Sequence, residues 1–147
     1  MEAFTHFKVL SKKVVEDLVK EASQFDDGVN ITFQEKGSFE FQLKIGGDII
    51  LFQMHTNVFD FDRSNPLWKT SYLKDDANRS FCGIINVYNF LSDSLKYNRY
   101  DDSGYLIGRI FINKANHFFV EGKRQLNFIH NDFISQEMNQ KDVLDII

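Results

Sequence analysis

Asp60 and Asp62 stand two residues apart in a stretch of extended character. On a β-strand both carboxylates would leave the same face and could bracket a hard cation such as Mg²⁺ or Ca²⁺. They are the candidate metal ligands, with Arg63 next to them as an alternative ion-pair partner. His55 would face the other side, about 16 Å from Asp60, and is not expected to share that ion. Cys82 is the single cysteine, which excludes an intrachain disulfide and a cysteine-based zinc site. It precedes an expected helix, whose N-terminal amides would favour a thiolate. A nucleophilic role also needs a base, to be found among His6, His55, His117 and His130. A lone cysteine beside Phe81 and Ile84 fits a small buried apolar group better.

Glu40 and Lys44 share a strand face, but their E-x-x-x-K spacing departs from the E-x-K of restriction-type phosphodiesterases, and they read as the wet face of a hairpin. His117 and His130 border aromatic runs, where a hydrogen-bonded or surface histidine is expected. The phosphate-loop, dinucleotide, zinc-protease and nucleophile-elbow motifs do not occur. That weighs against the common nucleotide-dependent and hydrolytic enzymes. The remaining concentration of chemistry is Phe59, Phe61, Arg63, Trp68, Tyr72 and Arg79, in a long irregular connection. Trp, Tyr and Arg are enriched where binding energy concentrates, and loops on a rigid sheet are where recognition sits. These six are the candidate binding residues. The alternative is that Trp68 and Leu67 plug the open end of the sheet.

The elements that would hold these residues are legible in the periodicity. Phe7, Leu10, Val14, Leu18, Ala22 and Phe25 recur at helical spacing, widened by Val15 and Val19, and predict an amphipathic helix ending at Asp26, Asp27 and Gly28. Lys12, Glu16 and Lys20 stand four apart on its outer face. Three antiparallel strands follow, over 29–35, 38–45 and 48–58. The first two are one-sided, Gly46 and Gly47 form a two-residue reversal, and the third is expected to be the most enclosed. The pattern fails over 59–81. Ile84, Val87, Tyr88, Leu91 and Leu95 then predict a second helix, capped by Asn78 or Ser80. A turn-rich connection over 97–104 leads to strands over 105–112 and 117–121, with Gly108 marking a bulge or close approach. A further strand over 126–129 and a short helix opened by Asn139 and Asp142 complete the order.

Segregated strands with flanking helices mean an α+β fold with an antiparallel sheet of five to six strands, expected as a single domain over 1–147. The order is similar to that of the type III secretion chaperones, small acidic proteins that hold partner chains. The resemblance is one of topology and charge, and it implies a partner-holding role.

The bulk numbers narrow the function classes. A net charge of −4, a pI near 5.5 and no basic run longer than two residues lack the electrostatic footprint of nucleic-acid binding. The apolar run 49–52 is far short of the roughly 18 residues of a membrane span. The first residues carry no signal-peptide pattern, so the cytoplasm is the default compartment. Sixteen Phe beside one Trp and five Tyr predict an aromatic core with apolar area left for an interface, such as a homodimer's. The expected function is therefore a non-catalytic, chaperone-like or adaptor domain for a protein or peptide, with no cofactor. The rivals are an enzyme using Asp60 and Asp62 or Cys82, and a Phe-lined pocket for a small ligand.

Overall fold

The computed structural model describes residues 2–25, 30–91, 104–122 and 132–147. Helix α1 (Glu2–Phe25) is followed by β1 (Ile31–Glu35), β2 (Glu40–Ile45) and β3 (Asp48–Asp60). A crossover then runs through a 3₁₀ turn (Pro66–Lys69), α2 (Ser71–Asp75) and a second 3₁₀ turn (Ala77–Ser80). Strands β4 (Phe81–Leu91), β5 (Tyr105–Asn113) and β6 (Phe118–Gly122) and helix α3 (Gln140–Ile146) complete the described chain. The six strands form one antiparallel sheet in the order β1-β2-β3-β4-β5-β6, so each strand pairs with its sequence neighbours. This is the expected α+β class.

The local signals act where the sequence places them. Gly46, at φ +58°, makes the two-residue turn that sets Ile45 opposite Asp48. Gly108 lies beside a register shift between Val87 and Tyr88, and a Cβ there would sit 3.1 Å from the Glu121 carbonyl. Asn139 caps α3 in a reciprocal capping box with Asp142.

One sheet face carries the main core under α1. Phe4, Phe7, Val14 and Val15 from α1 meet Phe41, Leu43, Phe52, Ile85 and Ile110, all buried. Phe41 is the hub. Its ring stacks on Phe52 at 4.7 Å and on Phe33 at 5.1 Å, and Phe4 and Phe7 tilt onto it from the helix. Each fully buried Phe contributes about 2–3 kcal/mol, so four such rings outweigh any polar contact in the fold. Val19 does not widen the buried stripe as expected; it is 41% exposed.

Two expectations are corrected. The helix predicted from Ile84, Val87, Tyr88 and Leu91 is strand β4. A central strand covered on both faces loses its period-2 alternation, and its apolar residues then mimic helical spacing. Ile85 and Val87 enter the main core while Ile84 packs on the opposite face. The most enclosed strand is accordingly β4 rather than β3, whose residues 55–58 are exposed around a register shift between Met54 and Val58. The order is still close to the expected one: a helix, three strands, a crossover that carries the short α2, three strands and a final helix. The turns expected at 26–28 and 97–104 fall wholly or largely outside the described residues, and the strand expected over 126–129 lies wholly outside them.

Candidate functional site

The sheet's second face carries a smaller aromatic core at one end. Phe61, Cys82, Phe111 and Phe133 are buried there, with Phe59, Leu67, Tyr72, Ile84 and Phe119 packed against them. Phe111 stacks on Phe119 at 4.5 Å, and Phe59 meets Phe61 edge-on at 5.0 Å. The crossover is ordered over this cluster by its own caps. The Asn65 side chain accepts from the Leu67 amide to open the first 3₁₀ turn, and Asp76 accepts from the Asn78 amide to open the second. Asn65 with Pro66, and Asp76 two residues before Asn78, were the readable signals of these turns.

All six candidate binding residues gather at this end of the sheet, in two roles. Phe59 and Phe61 face inward. Tyr72 is half-buried, its ring 4.7 Å from the His117 ring and edge-on to Phe133. Burial lifts its phenol above the ordinary value, against the hydrogen bond it accepts from Asn113 and the charge of Arg79. Arg79 lies over the Tyr72 ring at 4.7 Å and donates to the Tyr72 carbonyl. Trp68 is half-buried with its indole N–H on the Phe61 carbonyl at 3.2 Å, and Arg63, exposed, lies over its ring at 3.8 Å. Trp68 and Arg63 thus form an anchored cation–π pair at the surface.

The residue that ties this arrangement together escaped the sequence reading. Asn113, at the end of β5, is 1% exposed. Its amide donates to the Tyr72 hydroxyl at 2.9 Å and to the Arg79 carbonyl at 3.0 Å. Its carbonyl oxygen accepts from the amides of Ala115 and His117. One side chain therefore fastens the crossover to the β5–β6 turn.

The catalytic alternatives take concrete form. Cys82 sits on β4, not at a helix start, and is fully buried. Burial, with the Asp60 charge adding to it, pushes its thiol up to about 12. A raised folded-state pKa stabilises the fold fully below the unfolded value near 9, and that contribution is lost as pH rises through about 12. Cys82 is thus a protonated core group rather than a nucleophile. Ellman's reagent is expected to find no reactive thiol in the folded protein at pH 8 and one per chain in guanidinium. Rapid native reaction would contradict the burial.

Asp60 ends β3, whereas Asp62 lies beyond it in a turn, so the shared strand face is not realised. Asp62 accepts from the Ser64 amide and hydroxyl, which hold its carboxyl below the usual carboxylate value. Among the described residues no group of three or more His, Cys, Asp or Glu is gathered for a metal. His55 accepts the Asn57 amide on its Nδ1, and His117 Nδ1 meets the Phe133 carbonyl, so both rings serve local structure. Glu40 accepts from Gln53 on the uncovered face.

Two clefts remain. One, of about 410 Å³, opens beside the start of α1 between Phe4, Met54, Phe81 and Ile112, and is the counterpart of the small-ligand reading. The other, about 590 Å³, lies on the second sheet face between His55, Asn86, Tyr88 and Arg109. Among the described residues no helix is long and apolar enough to cross a membrane. No protein-family model, curated protein or solved structure matches the chain.

Proposed function

We propose that this chain is a non-catalytic domain that binds a protein or peptide, in the manner of an adaptor or a chaperone, through the outer surface of the crossover. The observation that carries the reading is the Arg63–Trp68 pair. A large amphipathic ring is locked by its indole N–H, and an exposed guanidinium covers it. Such a rigid aromatic anchor loses little side-chain entropy on binding, which is why Trp and Arg dominate interface energetics. The buried thiol of Cys82 and the turn-bound carboxylate of Asp62 favour binding over catalysis.

The test selects peptides from a random phage-displayed library against the wild-type protein, then measures them against Arg63→Ala and Trp68→Ala. Loss of at least about tenfold in affinity, with far-UV circular dichroism unchanged, is the expected result. Because Trp68 is the only tryptophan, its emission should also shift on titration of a selected peptide. Selected peptides that bind the two variants as tightly as the wild type would overturn the reading, as would a library that yields no binders.

A further inference from the structure

The two edges of the sheet are treated differently. At β6 the C-terminal segment closes the start of the edge: Phe118 donates to the Gln136 carbonyl, Met138 donates to the Asn116 carbonyl, and His117 bridges Glu137. At β1, among the described residues, no backbone group pairs with the outer edge. The hydrogen bonds to β2 fix which groups point outward. Gly46 donates to the Asn30 carbonyl and Lys36 donates to the Glu40 carbonyl, so even-numbered residues face β2. The N–H and C=O of Ile31, Phe33 and Glu35 therefore point away from the sheet.

Exposed edges are usually blunted by lysine, proline, a bulge or a covering segment. Among the described residues, strand β1 has none of these. Its residues Ile31, Thr32, Phe33 and Gln34 include three good strand formers, and its one charge, Glu35, is answered by Lys8 at 3.7 Å. A groove of about 420 Å³ lies beside it, between β1 and the outer side of α1, floored by Val15, Val19 and Phe33. Unpaired, regularly spaced backbone groups along an apolar groove call for another extended strand.

We infer that the strand which fills this edge is β1 of a second copy of the chain, paired antiparallel about a two-fold axis at Thr32. The register follows from complementarity. It sets Ile31 against the partner's Phe33 as a pair sharing backbone hydrogen bonds, because both expose outward groups. It sets Thr32 against its own copy at a non-bonded site, where the Cα atoms approach to about 4.5 Å. Aliphatic–aromatic and Thr–Thr pairs are both favourable across strands. Glu35 falls outside the overlapping 30–34 stretch, so no like charges oppose each other. The partner's Phe33 enters the groove beside Val19. Lys12, Glu16 and Lys20 on the outer side of α1 alternate in sign, and a two-fold copy staggered by one turn sets each Glu16 against a lysine. The two sheets then continue as one of twelve strands.

Light scattering on the full chain at tens of micromolar should give twice the 17.2 kDa chain mass. Thr32 is exposed on the face away from α1, so Thr32→Lys is expected to leave the circular dichroism unchanged. It should weaken the dimer by about tenfold or more, because two lysines meet on the axis. Thr32→Cys should cross-link under mild oxidation to a disulfide dimer, since its Cα separation lies within disulfide range. Gln34→Cys, on the same face but off the axis, should not cross-link comparably. A monomeric wild type, a dimer that withstands Thr32→Lys, or equal cross-linking at 32 and 34 would each overturn the proposal. A monomer that binds a foreign extended peptide along β1 would assign the edge to another partner.

Discussion

Phe41→Ala is expected to cost about 4 kcal/mol of folding free energy, within the usual range for emptying a buried phenylalanine site. The ring is fully buried and touches four others, those of Phe4, Phe7, Phe33 and Phe52. Its removal therefore leaves a cavity between the helix and the sheet that neither rigid layer can collapse into. A domain whose stability lies in the usual range of about 5–15 kcal/mol would lose a large fraction of it. Phe41→Leu should cost markedly less, because most of the volume is kept. Guanidinium unfolding followed by Trp68 emission measures both, and equal midpoints for Phe41→Ala and the wild type would show that the ring is not the hub of the core.

The second large effect is expected at Asn113, where Asn113→Ala should destabilise by about 3 kcal/mol although it removes no apolar contact of consequence. The substitution strands the Arg79 carbonyl, the amides of Ala115 and His117, and the Tyr72 hydroxyl in or near the second core. Buried polar groups left without partners cost about 1–3 kcal/mol each, and partial hydration of the loosened turn offsets some of that. Tyr72→Phe deletes a single hydrogen bond and should cost about 1 kcal/mol. In the double variant the two losses should not add, because the Tyr72 hydroxyl and the Asn113 amide are one interaction. Additive losses in equilibrium unfolding would place Asn113 outside this network.

Sequence resolved the parts of the fold whose signals are local. The two-residue turn at Gly46, the one-sided strands β1 and β2, the turn ending at Asn116 with its positive φ and the cap at Asn139 depend on the chain nearby. Strand β4 depends on what covers it from both sides, and Ile84, Ile85, Val87 and Tyr88 carry no record of that cover. The crossover was legible as aromatic and irregular, and its six candidate residues do gather. How each divides between interior and surface was hidden, because the rings of Phe111, Phe119 and Phe133 decide it and lie far along the chain. Asn113 was invisible for the same reason: an asparagine at a strand end reads as a turn former, and its bonds to Tyr72 and Arg79 span 41 and 34 residues.

The neighbour-to-neighbour sheet order has a consequence for how the chain assembles. No strand has to be threaded between two others that are already in place, so each ladder can grow on the one made just before it. The entropic toll of joining distant segments then falls chiefly on α1, which must meet β4, β5 and finally α3, where Gln140 reaches Asp17 at 2.7 Å.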